Sequence, residues 1–147
     1  MNTIKLTTIA ALLLAGPLIA AAADKKIEAG PKGGRILEKT SPKTEFLVEK
    51  DRTVTITFYD EKLQPVSVGN QVVTVVAEAQ SGKTKLELTR KDGRLVSSTP
   101  LPEGEGYMIV VMLKAREDTK SQNFRFKLDT HNCGGCKRAE YACTCGH

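Results

Sequence analysis

The stretch Thr53-Val54-Thr55-Ile56-Thr57-Phe58 alternates strictly between apolar and hydroxyl-bearing side chains. A period of two places Val54, Ile56 and Phe58 on one face and three threonines on the other, whereas helical spacing would scatter them around a cylinder. β-Branched side chains also pack well on a pleated surface. The segment therefore predicts a half-buried strand. Further strands are expected at residues 45–50, 71–79, 85–89, 94–98 and 123–128, the last with Phe124, Phe126 and Leu128 on one side. Residues 107–115 form the most apolar run and predict a central strand. Ser81-Gly82 supplies one turn, and Asp92-Gly93 supplies a hairpin whose glycine tolerates positive φ.

No segment beyond residue 23 offers a capped amphipathic helix. Seven or eight short strands joined by polar turns predict an all-β fold. The expected form is an immunoglobulin-like or fibronectin-like β-sandwich with a Cys-rich C-terminal tail, and a small barrel is the alternative. In Leu101-Pro102-Glu103-Gly104-Glu105-Gly106-Tyr107 a tyrosine opens an apolar strand. That placement resembles a tyrosine corner, where the hydroxyl bonds back to the chain upstream. Glu105 departs from that pattern, since smaller residues are usual there, and a plain glycine-rich turn is the competing reading.

The first 23 residues read as a signal peptide. Lys5 precedes a stretch without charge, interrupted by Gly16-Pro17 and closed by Ala21-Ala22-Ala23 before the polar Asp24-Lys25-Lys26. Small residues at that place suit signal peptidase, and an uncleaved anchor is the alternative. Cleavage after Ala23 leaves 124 residues, enough for one hydrophobic core. The expected organisation is a signal peptide (1–23), a Gly/Pro/Lys-rich lead-in (24–43), a β-sandwich (44–130) and a Cys-rich tail (131–147), with a periplasmic or secreted location. The formal charge of +5 falls to +4 once Lys5 is removed. Basic residues are interspersed with acidic ones and there is no Trp, so neither a nucleic-acid footprint nor a stacking platform is present. No membrane partner is expected after cleavage.

All four cysteines lie within the last fifteen residues, spaced Cys-x2-Cys-x6-Cys-x-Cys, and the two histidines bracket them. Two thiolates separated by two residues can aim at one ion, with Gly134-Gly135 allowing a tight backbone. A second pair completes tetrahedral coordination of Zn²⁺, and soft thiolates also suit Cu⁺. The candidate metal ligands are Cys133, Cys136, Cys143 and Cys145, with His131 or His147 able to replace one sulfur. Lys137 and Arg138 would offset the thiolate charge. An oxidising compartment and an even count also suggest two disulfides, as the second reading, Cys133 with Cys143 and Cys136 with Cys145 or the reverse. Thiol–disulfide exchange at Cys133-Gly134-Gly135-Cys136 is a third reading, lacking the βαβ context of thioredoxin-type motifs.

No Ser-His-Asp set, phosphate-binding loop or His-Glu-x-x-His motif is present, so an enzyme is not expected. Two functions follow. The first is an exported soft-metal-binding or metal-handling accessory protein. The second is an immunoglobulin-like interaction module whose tail is a disulfide knot and whose partner is another exported protein. Gly30-Pro31-Lys32-Gly33-Gly34-Arg35 resembles the Gly-Pro-His-Gly-Gly-Arg lead-in of periplasmic adaptor proteins of heavy-metal efflux systems. The resemblance covers this hexapeptide and the β character beyond it, and implies a stand-alone relative of one adaptor domain. Lys32 stands where that pattern has His, so no ligand role carries over to it.

Overall fold

The computed structural model describes residues 26–146. The signal-peptide reading and His147 lie outside them. The described chain is nearly all β, in two antiparallel sheets with one turn of 3-10 helix, Glu140–Ala142. The first sheet holds β1 (Arg35–Leu37), β2 (Lys43–Val48), β3 (Val54–Tyr59), the two-residue β4 (Pro65–Val66), β7 (Leu88–Lys91) and β8 (Arg94–Ser97). Its order is β1-β2-β3-β8-β7, with β4 also paired to β3. The second sheet holds β5 (Val72–Ala79), β6 (Gly82–Leu86), β9 (Met108–Lys114) and β10 (Gln122–Lys127), in the order β10-β9-β5-β6. Phe46, Val54, Ile56 and Phe58 from the first sheet meet Val75, Ile109, Val111 and Phe126 from the second in one core.

Strand β9 lies between β10 and β5, as its apolar run predicts, and buries every second residue. The hairpin between β7 and β8 turns at Asp92 and Gly93, both with positive φ (50° and 75°), the conformation a two-residue turn of this hand requires. Strand β3 differs from expectation: all six residues are buried, threonines included. It runs inside its sheet, and the face that carries the threonines is covered. Thr55 satisfies its hydroxyl there by donating to Glu49 Oε1 at 2.8 Å.

Ten strands are present among the described residues where seven or eight are expected. The run 85–89 divides: Leu86 pairs with Val75 in the second sheet and Leu88 with Ser97 in the first. Both leucines face the same core, so the period of two continues across a change of sheet and conceals it. Strands β1 and β4 are too short to show any period.

The lead-in is built into the body. Besides supplying β1, its residues 30–34 close over Glu45 of β2, which is fully buried. Glu45 Oε1 accepts the N–H groups of Gly34 (2.8 Å) and Lys32 (3.1 Å), and Oε2 accepts the Tyr59 hydroxyl (2.6 Å). Burial first, then this bond, raises the Tyr59 pKa, so the phenol stays a donor. A Cβ on Gly30 would run into the Glu45 side chain, and one on Gly34 into the carbonyl of Phe46. Lys32 contributes only a backbone N–H, which any residue but proline supplies.

The back-bond expected of Tyr107 is formed: its hydroxyl donates to Pro102 O at 2.7 Å. Glu105, the residue that departs from the corner pattern, is a tie. It accepts Arg52 Nη1 at 3.1 Å and both the N–H and the hydroxyl of Thr130, just before the tail.

Candidate metal centre

The tail folds as a short antiparallel return. Tyr141 N–H donates to Asp129 O (3.0 Å), Glu140 N–H donates to His131 O (2.9 Å), and Asn132 bridges Ala139. This closes residues 133–138 into a loop, tightened by Cys133 N–H to Arg138 O (2.7 Å) and Lys137 N–H to Cys133 O (3.0 Å). Lys137 takes a positive φ of 60° to make the turn. The 3-10 turn Glu140–Ala142 then returns the chain to Cys143.

Tyr141 docks this loop on the body. Tyr141 and Ala142 belong to the hydrophobic core. The Tyr141 ring meets Phe46 edge-on at 5.9 Å and stacks on Phe126 at 6.3 Å. Its hydroxyl accepts Val48 N–H at 2.9 Å, on the strand that carries Glu45. Burial pushes the phenol up to about 12, so it remains neutral. Arg35, last of the glycine-rich hexapeptide, lies over the Phe126 ring at 4.8 Å and donates to Tyr141 O at 3.5 Å.

The four Sγ atoms of Cys133, Cys136, Cys143 and Cys145 lie within 4.8 Å of one another. Cys133–Cys145 and Cys136–Cys143 are 3.7 Å apart, and Cys133–Cys143 3.2 Å. A tetrahedron with metal–sulfur bonds of about 2.3 Å has edges of about 3.8 Å. The cluster therefore has a geometry compatible with one four-coordinate ion. No disulfide is formed, since a sulfur–sulfur bond is about 2.05 Å long.

The loop turns backbone donors toward the sulfurs. The N–H groups of Cys136 and Gly135 point at Cys133 Sγ, and those of Arg138 and Thr144 at Cys136 Sγ. Cys145 N–H reaches Cys143 Sγ at 3.4 Å. The Arg138 and Thr144 donors hold the Cys136 thiol down at about 6. Cys143 moves the other way. Cys145 N–H favours its thiolate, but the adjoining sulfurs and burial win and push it up to about 12. Without metal, the donors around Cys136 and Cys133 favour their thiolates, Cys136 with its pKa held down at about 6. Iodoacetamide should label Cys136 first at pH 7 and Cys143 last, and labelling of Cys136 should slow as pH falls through about 6. Peptide mass mapping checks the order, and first labelling at Cys143 would contradict it.

His131 is not brought to the sulfurs. It is exposed, and its Nδ1 pairs with Asp129 Oδ1 at 2.9 Å, which raises the imidazole pKa. The Asp129-x-His131 spacing is a local signal for that pairing. Sequence reasoning missed Tyr141, which occupies the spacer between the two cysteine pairs. Lys137 and Arg138, read for their charge, also shape the loop through their backbone groups.

Gly135 is required by close packing: a Cβ there would sit 2.9 Å from Cys145 Sγ, whereas one on Gly134 meets nothing within 4 Å. Gly135→Ala should lower metal affinity by about 10–100-fold, the scale on which displaced ligand support acts. Gly134→Ala should leave it within about twofold. Competition with a chromophoric chelator measures both, and equal losses would refute the distinction. No protein-family model, curated protein or solved structure matches this chain.

Proposed function

We propose that this chain is an exported metal-handling protein that holds one Zn²⁺ or Cu⁺ ion on Cys133, Cys136, Cys143 and Cys145. The observation that carries the reading is the convergence of four sulfurs within 4.8 Å on a loop anchored by Tyr141. Four sulfurs disposed about a tetrahedron favour zinc over copper on preferred geometry. A filled shell of four protein ligands leaves no position for substrate, which favours holding an ion over catalysis. Export is supported by the uncharged stretch before Asp24, and metal handling by the likeness of Gly30–Arg35 to heavy-metal efflux adaptors.

Intact mass of protein recovered from the exported fraction tests this reading. The expected species spans residues 24–147, carries one metal ion and reaches its full set of four alkyl groups only after chelation. A species lighter by four hydrogens, without metal under either native or reducing titration, would overturn it.

A further inference from the structure

The four sulfurs are not equivalent. Cys133 and Cys143 are buried at 1% and 6% exposure and Cys136 is half-buried, but Cys145 is exposed. The Cys143 sulfur accepts the Cys145 N–H at 3.4 Å, whereas the Cys145 sulfur lies against another sulfur, Cys133 Sγ at 3.7 Å. N–H···S bonds stabilise a metal-bound thiolate against protonation and departure, much as outer-shell partners do for other ligands. Gly135 packs closely against Cys145 Sγ on one side, while the space around Gly134 is open. Cys145 is the most exposed of the four ligands.

We propose that Cys145 is the exchange ligand of the site, displaced by an incoming soft thiolate when metal is passed on. This rests on the metal-site reading above. The incoming thiol forms a new metal–sulfur bond as the metal–Cys145 bond breaks, and its proton ends on Cys145. No electrons are transferred, so no oxidant or reductant is needed. Cys133, Cys136 and Cys143 retain the ion during the swap, and a second thiolate from the acceptor then completes release. A small-molecule thiol and a protein dithiol share this chemistry.

Zinc-loaded protein, treated with iodoacetamide and mapped by mass, tests the assignment. Cys145 should be labelled about tenfold faster than the other three, following its exposure. Zinc transfer to a chromophoric chelator should accelerate in proportion to added glutathione or to a Cys-x2-Cys peptide, and the faster of the two identifies the source. Cys145→Ser should still bind one zinc ion and transfer it about tenfold faster. Uniform labelling, or transfer indifferent to thiol, would overturn the exchange proposal and leave a closed structural site. A wild-type chain that binds no zinc would instead overturn the metal reading, and the exchange proposal with it.

Discussion

Glu45→Ala is expected to destabilise the fold by about 3–5 kcal/mol, from buried donors left without an acceptor and the cavity the side chain vacates. The Glu45 side chain is fully buried, and its loss strands the Gly34 N–H and the Tyr59 hydroxyl away from water and removes the acceptor of the Lys32 N–H. Each unsatisfied donor costs about 1–3 kcal/mol, and the vacated volume adds to the sum. Against a typical total of about 5–15 kcal/mol this is a large share. Glu45→Gln keeps the shape and one acceptor oxygen for the two N–H groups, so it should cost only about 1–2 kcal/mol. Gly30→Ala should approach the alanine variant, because its Cβ would displace the carboxylate from its donors. Urea unfolding midpoints measure all three. A loss below about 1 kcal/mol for Glu45→Ala would show the clamp to be incidental.

That clamp also marks where sequence reasoning runs out. The alternation in β3, β5, β9 and β10 is visible because neighbouring residues along one strand carry it. Glu45 next to Phe46 obeys the same alternation and so reads as solvent-facing. Its burial depends on a loop eleven to fifteen residues earlier folding across it, and no local period records that. The glycines at 30 and 34 read as freedom in an arm, but they serve close approach. Their purpose is apparent only once the opposing atoms, the Glu45 side chain and the Phe46 carbonyl, are known. The sheet change at Glu87 is hidden for the complementary reason that two sheets share one core.

The candidate centre was more legible. Cysteine spacing is local, and a two-residue gap with glycines converges sulfurs largely by itself. What spacing does not show is how the loop is held. Tyr141 sits in the spacer as one aromatic among polar residues, and its partners Phe46, Val48 and Phe126 come from β2 and β10. The tail is accordingly packed as part of the body. Arg35 connects the two features, since the hexapeptide that clamps Glu45 also ends on the tyrosine that docks the cysteines.

Cys133→Ser should lower metal affinity by at least about 100-fold, beyond what loss of outer-shell support alone costs. Cys133 lies deepest, receives two backbone donors, and its own N–H and carbonyl close the loop on Arg138 and Lys137. A serine oxygen there is a hard donor in a soft site and cannot be deprotonated at neutral pH. The consequence extends to the body through Tyr141. Metal at about 100 times its dissociation constant adds about 2.7 kcal/mol to the folded state. For a domain of this size that is a rise in melting temperature on the order of 10 °C. The wild type should show this rise, and lose it to chelator, while Cys133→Ser should show none. Because Val48 N–H is held by the Tyr141 hydroxyl, its hydrogen exchange should quicken in the variant while amides of the β9–β5 pairing stay protected. That pattern separates undocking of the tail from global unfolding. Retention of metal within tenfold of the wild type, or an unchanged melting rise, would mean that Cys133 is not a ligand.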